Sequence, residues 1–424
     1  MKKALIITMG LFCFGQYISI AIGNIFLSLA ILVAVLAAFK NKESLKNYQI
    51  SKSERGILIF IGVSFLLIFT SNNLVHSLKV FFNNYIYRPM PLLITAVLSG
   101  YILKTEKERI GARLVNLGVL AHTIASCYII YQALILDIAR PSGIFRSVMV
   151  YAGWSCLIIP MLFILFMETS KKSNLLGKAL YASALFLGLV GLLFNATRGA
   201  WLAVIIVLFC LIVYYAYQGN KKICVFFLIL CFVIPSGLHF LYSSNFKSLG
   251  ITQRATNFSI EKNQSATERI LLWKSSIEMM KDYPIAGVGI GEFDDSYHKH
   301  YISKEAKEPN LNHAHNNFFQ MGAETGFVGL ISFLFMFWSI YKEQYLFWRK
   351  SKNKYALIIL ASTTAFLIQG LTEYNFGDSA VIKNYWLILA LCLMISKNAN
   401  ENLFSSSNSK ISSLTKDNKK NEIA

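Results

Sequence analysis

Apolar runs close to 20 residues long recur along almost the whole chain, and they leave few folds open. A run of that length crosses the hydrocarbon core of a bilayer as a helix. Only a helix or a closed barrel satisfies its backbone polar groups there. Twelve runs can be placed, centred near residues 13, 32, 63, 95, 123, 157, 186, 208, 232, 328, 363 and 390. Composition agrees, with 55% hydrophobic and 15% charged residues, where a soluble domain carries roughly a quarter charged. The expected fold class is an all-α polytopic membrane protein with about 12 transmembrane helices. Met1-Lys2-Lys3 and the first run resemble a signal peptide. No small-residue cleavage site follows and a second run begins at once, so the first run is expected to remain as a helix.

The net charge of +19 raises nucleic acid as a partner, but its placement argues for a membrane. Cytoplasmic loops collect Lys and Arg. With the N-terminus inside and the runs alternating, the inside segments hold most of the 41 basic residues. Only Lys79, Arg88, Arg140, Arg146, Arg198 and Lys383 fall in short outside segments. Both termini are expected in the cytoplasm, with the positive charge facing anionic lipid. Nucleic acid is excluded, because the basic residues are dispersed rather than gathered on one face. The seven cysteines lie inside apolar runs without a CxxC pair, which excludes a disulfide framework.

Four parts follow: residues 1–242 with nine spans, 243–316 as one long outside loop, 317–397 with three spans, and 398–424 as a disordered cytoplasmic tail rich in Ser, Lys and Asn. Within the loop, Glu268 to Asp282 has helical spacing with Ile270, Trp273, Ile277 and Met280 on one face, a pattern for a helix lying on the outer surface. Tyr283-Pro284 ends it. Gly287, Gly289 and Gly291 lack the context of a phosphate-cradling loop, and a tight packing turn is expected.

The polar groups suited to chemistry concentrate between Thr267 and Leu330 and on short loops of the same side. Arg198, in NATRGAW, stands at the outer end of a span. An arginine there marks a functional site or a buried pairing, or snorkels to the interface. Arg269 opens the loop helix and either pairs with Glu268 or Asp282 or binds an anion; two such planar forks suit a pyrophosphate. His313 and His315 begin the tenth span, and a histidine can take a proton from a hydroxyl near neutral pH. With His298, His300, Glu292, Asp294 and Asp295 nearby, a metal site competes, although the spacing fits no specific metal motif. Arg140, Glu373 and Asp378 also face outside. The two acids could orient an imidazole or pair with an arginine.

Taken in order, NATRGAW, ERILLWKSSIEMMKDYPIAGVGIGEF and HAHNNFFQMGAETGFVGL resemble the O-antigen ligase and polymerase superfamily of bacterial envelope glycosyltransferases. His315-Asn316, nine residues, then Gly326-x-x-Gly329 is similar to the pattern associated with the ligases. Leu330 and Ile331 follow where ligases usually carry small hydroxyl residues. The resemblance implies a GT-C-like fold of twelve spans with a large periplasmic loop between the ninth and tenth. It also implies an inverting, metal-independent and cofactor-free transfer of glycan from undecaprenyl pyrophosphate to lipid A–core, at the periplasmic face of the inner membrane. In that scheme Arg198 and Arg269 bind the pyrophosphate and His315 is the general base. His313 has no assignment in that pattern; from the residues alone it is a candidate supporting group, with Arg140, Asp378 and Glu373. A polymerase or a protein O-oligosaccharyltransferase would use the same machinery on another acceptor. A flippase would need ionisable groups deep in the spans, for which His122 and His239 are the main candidates.

Overall fold

The computed structural model describes residues 1–42, 48–145, 147–169, 175–220 and 264–397. Among these the chain is helical and contains no strand. It begins with a short helix, α1 (Lys2–Gly15). The first helix long and apolar enough to cross a membrane is α2 (Ile20–Lys40), and the next is α3 (Lys52–Leu67), which a tighter turn extends to Thr70. A broken segment follows: α4 (Leu74–Phe81), a wide turn over Phe82–Tyr87, and α5 (Met90–Tyr101). Then come α6 (Lys104–Leu134), α7 (Val148–Glu168), α8 (Leu175–Asn195) and α9 (Arg198–Tyr217), all of spanning length. The outer part holds α10 (Gln264–Asp282) and α11 (Phe293–Ser296). The chain closes with α12 (Asn317–Ser351), the shorter α13 (Lys354–Gln369) and α14 (Ser379–Lys397).

Among the described residues, eight helices thus have the length and composition of membrane spans, where the sequence leads one to expect twelve along the chain. The shorter α1, α5 and α13 coincide with three more of the expected runs. The run near 232, the start of the long loop, His239, Arg146 and the tail from 398 lie outside the described residues. The chain is a multi-pass membrane protein.

Helices that are apolar all round are either buried or lipid-facing, and packing separates the two kinds here. α7 and α14 are buried almost throughout, whereas α2 and α8 expose most of their length. Gly153 allows the central pair to approach, since a Cβ there would meet Val381 at 2.5 Å. Trp154 Nε1 donates to Ala380 O at 3.0 Å across the same contact. Around this pair, α13 packs on α7 and α9, while α12 packs along α3. Ion pairs Lys2–Glu106 and Lys397–Glu54 fasten one end of the bundle. The connections over 135–145, 195–198, 264–316 and 370–378 gather at the other.

Two departures from the expected loop matter for the site. The buried stripe of α10 is Leu271, Leu272, Ser275, Ser276 and Met279, with Ile277 exposed. This stripe packs against α12, with the Trp273 ring stacked on Phe319. In α12, the backbone leaves helical geometry at Gly326 (φ 60°, ψ −165°). The glycine-rich turn fills the break. Phe327 N donates to Pro284 O at 2.8 Å, Val288 N to Ala323 O at 2.8 Å, and Gly289 N to Glu324 O at 3.0 Å. A Cβ on Gly287 or Gly326 would lie 2.4 Å from backbone atoms across this seam, so both positions need glycine.

Candidate active site

The site is assembled from two short connections that the first residues of α12 hold together. Asn316 caps α12, its Oδ1 accepting from Phe318 N (2.8 Å) and Phe319 N (3.1 Å). Its Nδ2 donates to Leu371 O at 2.9 Å. Asn317 continues the staple: its backbone N donates to Gly370 O at 2.8 Å, its Nδ2 to Asn375 Oδ1 at 2.6 Å, and its Oδ1 accepts from Phe376 N at 3.0 Å. Arg88, buried at the start of α5, donates from Nη1 to Gly377 O at 2.8 Å. The 370–378 connection is thereby fixed against the turn that carries the histidines.

That turn is gripped in its own right. Ala314 N donates to Gln320 Oε1 at 2.7 Å, and Trp273 Nε1 donates to Ala314 O at 3.0 Å. His315 takes a left-handed backbone (φ 45°), which costs a non-glycine residue about 1 kcal/mol or more. Its N–H donates to His313 Nδ1 at 3.3 Å, and the two rings lie 4.1 Å apart.

Glu373 meets this pair from the opposite connection. Both its carboxylate oxygens lie 3.2 Å from His315 Nδ1. An Nδ1–H donated to the carboxylate leaves His315 Nε2 as the acceptor nitrogen. On its other side, Glu373 Oε2 is 3.6 Å from Arg269 Nη2. Burial alone would raise the Glu373 carboxyl, but the hydrogen bond and charge of His315, with His313 and Arg269, carry it below its ordinary value. Burial, and then the neighbouring His315, push His313 down to about 4. Burial also lowers Arg269; Glu373 opposes that shift and the nearby Arg198 adds to it.

Glu373 is also a wall between two pockets. One is lined by Arg140, Arg198 and Arg269 with Thr197 and Thr372, so three guanidinium groups from separate connections converge there. The other, a cavity of about 430 Å³, holds His313, His315, Gln320, Glu324 and Asp378. Met149 and Glu373 line both. The arrangement sets a guanidinium-lined face and an imidazole-lined face on either side of one carboxylate.

All seven candidate residues therefore lie in one region, and their partners answer what the sequence left open. Glu373 stands beside His315. Asp378 instead caps α14, its Oδ1 accepting from Ala380 N (2.9 Å) and Val381 N (3.2 Å); burial raises its carboxyl. Arg269 pairs with neither sequence neighbour: Glu268 Oε1 accepts from Lys307 N and Asp282 Oδ2 from Tyr301 OH. His298 ties down its own loop through Asp294 O (2.8 Å) and Pro309 O (2.7 Å). Among the described residues, the group able to hold a metal is His313, His315 and Glu373, with ligand atoms within 4.8 Å of one another. As placed, that group already spends Glu373 on His315 and Arg269. Of the buried groups inside the spans, His122 Nε2 bonds Ser155 Oγ at 3.2 Å, and Lys383, at the outer end of α14, donates to Asn24 Oδ1.

The sequence gives no site role to Asn317, Gln320, Glu324 or Arg88. The doubled asparagine at a helix start was a usable signal, because asparagine there caps and two in succession can also reach outward. Glu324 carried a signal too: a carboxylate within an apolar run.

Residues 183–334 match the family model described as O-Antigen ligase. The matched segment carries Arg198, Arg269, His313 and His315; Arg140, Glu373 and Asp378 lie outside it. An uncharacterized protein of Haemophilus influenzae is 27% identical over 180 residues, covering 40% of this chain and 43% of that protein. The match thus spans less than half the length of that relative. Segment 183–334 is thus similar to the O-antigen ligase family, which supports the resemblance to the O-antigen ligase/polymerase superfamily.

Proposed function

We propose that this protein transfers a glycan from undecaprenyl pyrophosphate to a sugar hydroxyl of lipid A–core, at the periplasmic face of the bacterial inner membrane. The observation that carries the reading is Glu373, which bonds His315 on one side and faces Arg269 on the other. The pyrophosphate occupies the pocket of Arg140, Arg198 and Arg269, and the acceptor hydroxyl reaches His315 Nε2 from the larger cavity. As the acceptor oxygen attacks the anomeric carbon, its proton passes to Nε2. The bond from that carbon to the phosphate oxygen breaks with its electron pair, and the lipid pyrophosphate leaves from the opposite face. The anomeric configuration inverts.

Arginines aimed at the phosphates stabilise charge that grows in the transition state, and the base serves the poorer partner, the hydroxyl. Three guanidinium groups supply the positive charge such a leaving group needs, so a chelator is expected to leave the rate unchanged. Topology is consistent with this face. Lys40, Lys52, Arg55, Lys104, Arg349 and Lys350 sit at the end of the bundle away from the site, where the positive-inside rule puts the cytoplasm. Residues 264–316 then form the described part of the periplasmic loop.

The test is a lipopolysaccharide gel from a ligase-deficient host of matching core and O-antigen, complemented with the chain or its His315→Ala form. A ladder restored only by the native chain supports the reading. No ladder, with free lipid-linked polymer lengthened instead, would assign the chain to polymerisation.

A further inference from the structure

The two pockets beside Glu373 have opposite chemistry, and that restricts the acceptor more sharply than the reaction class does. Arg140, Arg198 and Arg269 all line the smaller pocket. The larger one holds four carboxylates (Asp294, Glu324, Glu373 and Asp378) and the amides of Asn84 and Asn312, with no Lys or Arg in its lining. Its volume of about 430 Å³ falls within the ~300–1,000 Å³ of small-ligand sites.

Oxygen acceptors therefore dominate its wall. Glu324 is set there by its own contacts: Gln320 Nε2 donates to its Oε1 at 2.9 Å, and the backbone of Gly291 and Phe293 hydrogen-bonds it. Asp378 is held by the start of α14. Hydroxyl and ammonium groups would find partners in this cavity. A phosphate or a sugar carboxylate would be desolvated beside carboxylates whose cations, Arg269 at Glu373 and Arg88 near Asp378, lie outside the lining, and like charges in that position are costly.

We propose that the sugar received in this cavity is uncharged or carries a free amino group, and that sugars bearing phosphate or carboxylate at the receiving residue are rejected. The word "receiving" rests on the transferase reading above. The preference itself rests on the lining of the cavity.

Binding decides it without requiring turnover. Octyl glucoside, octyl 2-amino-2-deoxyglucoside and octyl glucuronide share one alkyl chain and differ in charge. Their affinities for the full chain in nanodiscs can be ranked by saturation-transfer NMR of the ring protons. The amino sugar should bind at least as tightly as the glucoside, and the glucuronide roughly tenfold more weakly. Parity between glucuronide and glucoside would overturn the proposal. The double variant Glu324→Gln/Asp378→Asn keeps side-chain size and the helix cap, and should abolish the discrimination. Discrimination unchanged in a folded double variant would also overturn it; if that variant does not fold, the native ranking alone decides. Transfer from a lipid-linked donor in the same preparation separates the two claims. A preference without transfer would sink the transferase reading, and transfer without a preference would sink this one.

Discussion

Glu373 and His315 are 58 positions apart in sequence, yet both carboxylate oxygens of the first lie 3.2 Å from Nδ1 of the second. The contact fixes one imidazole tautomer and delivers Nε2 toward the cavity. Glu373→Gln keeps the shape but can donate to Nδ1, which favours the wrong tautomer. Transfer should fall on the order of 10²- to 10⁴-fold, as when a carboxylate that orients a catalytic histidine is replaced by its amide. Rates from purified protein, with folding verified by size-exclusion chromatography, check this. Near-native transfer would remove Glu373 from the mechanism.

Arg269 sits between Glu373 and the other guanidinium groups. Arg269→Ala should lower kcat by about 10²- to 10³-fold, the scale for losing one donor to developing charge. Arg269→Lys should recover part of that loss, since it keeps the charge but not the bidentate fork. A rise in donor KM with kcat intact would show that Arg269 grips the substrate equally before and during reaction.

Acid should destabilise the site through His313. In the folded protein it titrates near 4, below the ordinary 6.5, so between those values the unfolded chain binds more protons. Stability contributed here is complete above about pH 6.5 and falls as the pH drops toward 4. Glu373, also held below its ordinary value, acts in the same direction over a lower range. The thermal midpoint should therefore decrease on acidification, and His313→Gln should flatten the part of the decrease between pH 6.5 and 4. An identical slope in the variant would place the proton uptake elsewhere.

The seam between the glycine-rich turn and α12 makes a sharper stability prediction. Gly326→Ala must hold φ near 60° with its Cβ 2.4 Å from Ile285, which should cost about 1–3 kcal/mol or more. Gly118→Ala, in α6 with nothing within 4 Å of the new Cβ, should be neutral or slightly stabilising. Thermal unfolding in detergent compares the two. Equal midpoints would show that the seam yields easily.

Much of the fold was legible because hydrocarbon imposes a period and a length on every span, and α2, α7 and α9 announce themselves by both. The short helices were harder: α5 is only 12 residues and follows a wide turn, so length alone understates its role. The candidate site was legible in part for a different reason. Arginine, histidine and acid are conspicuous in an apolar chain, so Arg198, Arg269, His315 and Glu373 stood out individually. Their pairing did not. It depends on amide-to-backbone bonds from Asn316 and Asn317 into the 370–376 connection, and such bonds leave no periodic trace. The face of α10 that packs on α12 was not legible, because a pattern shows which residues are apolar and not which neighbour will cover them.

The break at Gly326 divides α12 into unequal lengths with a mechanical consequence. Phe327–Ser351 is roughly 37 Å long at 1.5 Å per residue, enough to cross the ~30 Å hydrocarbon layer by itself. If Phe327–Ser351 fills that layer, the preceding turns, from Asn317 to Thr325, stand beyond it like the top of a mast and carry the histidines at a fixed height. A thicker bilayer would drown the mast, and a thinner one would strand it above the lipid-borne sugars, so turnover should peak at one acyl-chain length.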